Sequence, residues 1–125
     1  MRILLAEDDR TMSRIAALSL SKKGGHEVVC VGDGAEAVRR AADLRPDLIL
    51  LDDQMPVMAG PEACRRLKAD DRTKGIPVIF LTARSGEDEA RLYRDLGAAG
   101  MIRKPFNAAG LSERVRAILS ESGGG

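Results

Sequence analysis

Short apolar runs alternate along this chain with longer amphipathic stretches. Arg2–Ala6, Val28–Val31, Leu48–Leu51, Ile76–Leu81 and Gly100–Arg103 have the length and composition of strands. Leu48–Leu51 is apolar at every position, as expected of a central strand covered on both faces. The first gap predicts a helix over roughly Arg10–Lys23, with Met12, Ile15, Ala16 and Leu20 inward and Gly24-Gly25 as its stop. Asp33, with Glu36 three residues on, has the pattern of a capping box opening a second helix, which Pro46 ends. Pro61 suits the first turn of a third helix, with Cys64 and Leu67 facing inward. Ser85 and Asp88 offer caps to a fourth, and Gly97 a stop. Asn107 can cap a fifth, on which Leu111, Val115, Ile118 and Leu119 share one face. Strand alternating with helix predicts an α/β protein of (βα)5 type. Right-handed crossovers then favour a doubly wound, five-stranded parallel sheet.

Composition adds limits. A chain of 125 residues predicts one domain, over residues 1–120, with 121–125 as a flexible tail or linker start. Hydrophobic residues make up 44% and charged residues 31%, a globular balance. The net charge of +1 gives no strong field toward nucleic acid or a lipid surface. Phe80, Tyr93 and Phe106 are the whole aromatic complement, too few for a stacking platform. Cys30 and Cys64 lack CxxC spacing and read as small buried thiols in a reducing compartment, unbridged. No apolar run approaches transmembrane length and the N-terminus reads as a strand, so the expectation is cytoplasmic, with no membrane and no direct nucleic-acid contact.

The chemistry sits where the runs end. The first runs into Glu7, Asp8 and Asp9, the third into Asp52 and Asp53, the fourth into Thr82, and the fifth into Lys104 and Pro105. In a parallel sheet these ends lie along one edge, where open α/β sheets bind ligands. Clustered carboxylates repel unless a cation is present, and an oxygen-only donor set favours Mg2+ or Mn2+ over zinc. With a metal on Asp8 and one Asp52 oxygen, the other Asp52 oxygen can attack a phosphoryl group and form an acyl phosphate. Lys104 supplies positive charge, and the Thr82 hydroxyl with the backbone N–H of Ala83 can donate to phosphoryl oxygens. Asp52 and Asp53 compete for the nucleophile's role. Successive strand side chains point to opposite faces, so only one enters the pocket, and the spacing alone does not choose.

With these motifs the chain resembles the receiver domains of bacterial two-component response regulators. The likeness runs from Arg2 to about Ser120. It rests on Glu7-Asp8-Asp9, Asp52-Asp53-Gln54-Met55-Pro56-Val57-Met58-Ala59-Gly60, Leu81-Thr82-Ala83 and Lys104-Pro105-Phe106. The resemblance implies a flavodoxin-like sheet of order 2-1-3-4-5. It selects Asp52, three residues before the Met-Pro pair, as phosphoacceptor. It implies Asp8 as direct metal ligand, Glu7 in support, and the backbone carbonyl of Gln54 as a further ligand. Thr82 matches the switch hydroxyl and Lys104 the phosphate-pairing lysine, aimed inward by a cis Lys104–Pro105 bond. The implied donor is a phosphohistidine on a histidine kinase or phosphotransfer protein. The implied readers are a downstream effector or a fused output domain. Such a domain catalyses only its own phosphorylation and dephosphorylation.

Three departures stand out. Ala59 replaces the usual Asp before the glycine, which affects the loop and the start of the third helix. Met101 stands where the family usually has a Tyr or Phe that turns inward on activation. Ala99 and Gly100 replace acidic residues typical of the dimer face in the large DNA-binding subfamily. Two other readings compete: a phosphate-independent scaffold, and an Mg2+-dependent aspartyl phosphohydrolase. The latter usually carries its nucleophile after the first strand in a D-x-D arrangement, which this chain lacks.

Overall fold

The computed structural model describes residues 1–84 and 86–123. Its strands are β1 (Arg2–Ala6), β2 (Glu27–Val31), β3 (Leu48–Asp52), β4 (Val78–Thr82) and β5 (Gly100–Arg103). Its helices are α1 (Arg10–Gly24), α2 (Gly34–Leu44), α3 (Gly60–Ala69), α4 (Glu87–Asp95) and α5 (Leu111–Gly123). All strands are parallel, in the order β2-β1-β3-β4-β5. The doubly wound (βα)5 expectation is met. The expected caps at Ser85 and the end of the tail at Gly124 and Gly125 lie outside the described residues.

Period-two alternation builds two cores, one on each face of the sheet. Ile3, Leu5, Leu48, Leu50, Ile79 and Leu81 pack with Ala16 and Leu20 of α1 and Leu111, Val115 and Ile118 of α5. Leu4, Ala6, Ile49, Leu51, Val78 and Phe80 pack with α2, with Cys64 and Leu67 of α3, and with Tyr93 of α4. β3 and β4 are buried along their whole length. Each strand thus has two residue sets, and the polar residues at the strand ends inherit this sorting.

Local signals worked as their chemistry demands. Gly25 takes φ 69° after α1, the left-handed turn that closes its last carbonyls. The Asp33 side chain accepts from the Glu36 N–H at 2.7 Å and caps α2. Asn107 accepts from the Ala109 N–H at 3.0 Å, and so caps a single 3-10 turn, Ala108–Gly110, that leads into α5. Ala59 holds the N-cap position of α3, with no side-chain hydrogen bond there among the described residues.

Three expectations need correction. Ile15 is exposed, because the buried stripe of α1 passes through Ser13, Ala16, Ser19 and Leu20 and leaves Ile15 beyond its edge. Cys30 is exposed too, since β2 is an edge strand, whereas Cys64 is buried; both are free thiols. Asp88 lies inside the first turn of α4, whose N-cap is Gly86. There it complements the helix dipole without capping.

The loop between β3 and α3 contains one unfavourable residue. Val57 has φ 68° and is 83% exposed. A β-branched residue in the left-handed region costs about 1–2 kcal/mol, and here little packing compensates. Val57→Asn is expected to raise stability by about 1 kcal/mol in chemical denaturation. No gain would mean that the valine side chain makes stabilising contacts.

Candidate functional site

The C-terminal strand ends converge on a cavity of about 640 Å³ lined by Glu7, Asp8, Asp52, Gln54, Ala83, Arg84 and Lys104, among others. Asp52 has the parity of Leu48 and Leu50, so its side chain emerges toward the α1 and α5 face. There it meets Lys104, whose Nζ lies 3.0 Å from Asp52 Oδ1 and 2.8 Å from Glu7 Oε1. Glu7 is only 3% exposed and Asp52 4%. The Lys104–Pro105 bond is cis. Gln54 lies at the start of the loop, its N–H 3.4 Å from Asp52 Oδ1.

Asp53 takes the other parity. Its Oδ2 accepts from the Thr82 hydroxyl at 2.8 Å and from the Tyr93 hydroxyl at 3.3 Å, and the Arg84 Nε lies 3.9 Å away. Thr82 is fully buried and accepts in turn from the Arg84 backbone N–H at 3.0 Å. Both aspartates line the cavity, but their side chains join different clusters. Asp52 enters the cluster with Glu7 and Lys104, and Asp53 enters a second cluster with Thr82 and Tyr93. Sequence reasoning brought Thr82 to the correct edge but missed its partners Asp53 and Tyr93. The parity shared by Asp53 with Leu51, and by Thr82 with Phe80, was the available signal.

Burial, reinforced by the neighbouring Glu7 carboxylate, pushes the Asp52 carboxyl up to about 7, against the pull of Lys104. Burial disfavours the Lys104 charge, but Glu7 and Asp52 together outweigh it and hold that pKa above the ordinary value. One lysine thus serves an under-neutralised pair of buried acids. Carboxylate oxygens of Glu7, Asp8 and Asp52 all lie within 4.8 Å of one another. An all-oxygen, anionic donor set fits a hard divalent cation. Met101 faces Phe80 in the β4–β5 register and is packed, partly buried, against the α2–α4 core.

The comparisons agree with this geometry. The response regulator receiver domain family matches residues 3–116, and the chain belongs to that family. It is therefore a two-component signalling module, a class whose members are not ordinary enzymes. It is 38% identical over 118 residues to the DNA-binding response regulator MtrA of Mycolicibacterium paratuberculosis, covering 94% of this chain and 51% of the relative. It is 37% identical over 123 residues to the phosphate regulon transcriptional regulatory protein PhoB of Pseudomonas aeruginosa, covering 98% and 53%. The chain thus spans about half the length of these curated relatives. The chemotaxis response regulator CheY4 of Vibrio cholerae superposes with a TM-score of 0.88 at 29% identity, covering 94% of this chain and 98% of that one. The signal receiver domain of a histidine kinase from Syntrophus aciditrophicus gives 0.82 at 36% identity, covering 96% and 90%. MtrA is named as DNA-binding, so the expectation of no direct nucleic-acid contact gains no support here. No helix among the described residues is long and apolar enough to cross a membrane.

Proposed function

We propose that Asp52 accepts a phosphoryl group from a phosphohistidine donor on a histidine kinase or histidine phosphotransfer protein. The observation that carries this reading is the buried Asp52 carboxylate at a solvent-open cavity, bridged by Lys104 to Glu7. An Asp52 oxygen attacks phosphorus, the N–P bond breaks, an acyl phosphate forms, and histidine leaves. Attack of water on the same phosphorus later returns the carboxylate and releases phosphate. Lys104 stays ionised beside the new phosphoryl oxygens. The backbone N–H of Ala83 and a reoriented Thr82 hydroxyl supply further donors. Asp8, Asp52 and the Gln54 carbonyl, with Glu7 in support, would hold Mg2+ or Mn2+. When bound, such an ion supplies the positive charge that this acidic cluster lacks.

The signalling surface is that of α4, β5 and α5, with no aromatic flip at position 101. Met101 is flexible and apolar and can fill an irregular gap without a hydroxyl to satisfy. The reader is a downstream effector or a fused output domain, and the site of action is cytoplasmic. Incubation with a small phosphodonor and Mg2+ should add one phosphoryl group by intact mass. Chelator or Asp52→Asn should abolish it. No modification of the wild type in Mg2+ would instead favour a phosphate-independent scaffold.

A further inference from the structure

The second polar cluster, on the α4 side of the sheet, reaches beyond the phosphoacceptor pocket. Thr82 Oγ1 has one proton, and it is committed to Asp53 at 2.8 Å. Its lone pairs face the Arg84 backbone N–H at 3.0 Å and the Tyr93 hydroxyl at 3.2 Å. Tyr93 sits on α4, is 2% exposed, and stacks on Phe80 with ring centroids 4.4 Å apart and planes at 22°. Its single proton is shared between Thr82 and Asp53, at 3.2 and 3.3 Å. β5 contributes Met101 beside Phe80, so the aromatic hydroxyl in contact with Thr82 comes from a helix.

We propose that Tyr93 is a positioning residue for Thr82: with Asp53 it holds the Thr82 hydroxyl on the α4 side of the sheet, away from Asp52. This rests on the reading of Asp52 as phosphoacceptor. To donate to a phosphoryl oxygen on Asp52, Thr82 must release Asp53 and turn from Tyr93. A buried hydroxyl without a partner is unfavourable, so the Tyr93 proton passes wholly to Asp53. Arg84 lies near both Asp53 and Glu89 of α4, at 3.9 and 3.7 Å, so the rearrangement reaches the first turn of that helix. Helix α4 thereby reads the phosphoryl group through a hydroxyl of its own.

Tyr93→Phe keeps the ring and its stacking and deletes only the hydroxyl. It removes the hydroxyl's contact with Thr82, which only the unphosphorylated arrangement holds, whereas its contact with Asp53 is common to both. Beryllofluoride with Mg2+, a phosphoryl mimic, is then expected to bind about two- to threefold more tightly, the effect of the Thr82 share of one neutral hydrogen bond. In a Thr82→Ala background the same change should leave affinity unaltered, which a merely structural role for the ring would not require. Amide shifts of α4 on beryllofluoride binding should also shrink in Tyr93→Phe. Equal affinity in wild type and Tyr93→Phe, or an equal gain with and without Thr82, would overturn the proposal and leave Asp52 as acceptor. Failure of wild type to bind beryllofluoride, or binding that survives Asp52→Ala, would overturn the underlying reading and this one with it.

Discussion

Lys104→Met is expected to destabilise the metal-free protein by roughly 3 kcal/mol at pH 8 and by about 1 kcal/mol at pH 5. Lys104 touches both Glu7 and Asp52, and each acid is nearly inaccessible to water. Removing the cation leaves two buried like charges facing each other. The pH dependence follows from Asp52, whose carboxyl is raised on folding from 3.8 to about 7. Between those values the folded state holds a proton that the unfolded state has lost, so stability falls as pH rises through that window. Without Lys104 the folded value rises further and the loss extends to higher pH. At pH 5 the proton takes over much of the lysine's role. Asp52→Asn in the Lys104→Met background should recover most of the loss at pH 8. Urea denaturation at the two pH values checks this. An equal loss at both would mean that Lys104 contributes through packing of its stem.

Gly60→Ala is expected to cost about 3 kcal/mol or more. A methyl group on Gly60 would collide with the backbone carbonyl of Asp52 and the Cα of Asp53. Neither can give way without moving the strand end that carries the acceptor. The Gly60 N–H also donates to the Asp53 carbonyl at 3.1 Å, closing the loop over the site. Gly75→Ala serves as control. Among the described residues nothing beyond its chain neighbours lies within 4 Å of its added methyl, and its φ is not in the left-handed range, so stability should hold or rise by about 0.5 kcal/mol. A Gly60→Ala variant as stable as the Gly75→Ala control would mean that the loop yields.

Much of this was legible in the sequence because strand ends are local features. The apolar runs located β1, β3 and β5 nearly to the residue, and parallel topology then forced Glu7, Asp52, Thr82 and Lys104 to one edge. What the sequence withheld were distances between elements. Periodicity placed Ile15 on the apolar side of α1, but only the position of α1 on the sheet shows that the buried stripe passes it by. Cys30 is exposed because β2 lies at the sheet edge, a fact of strand order. Gly60 stood out as part of a motif, yet its close approach to Asp52 is tertiary. Tyr93 counted in the sequence only as one of three aromatics, since nothing local shows that its hydroxyl meets Thr82.

Labelling with a small phosphodonor in Mg2+, borohydride reduction of the acyl phosphate and peptide mapping test the central claim most directly. Asp52 and Asp53 are adjacent in sequence but face opposite sides of the sheet, Asp52 toward Lys104 and Asp53 toward Thr82. The reduced residue is expected at Asp52, with Asp53 unmodified. Reduction at Asp53 with Asp52 intact would contradict the account.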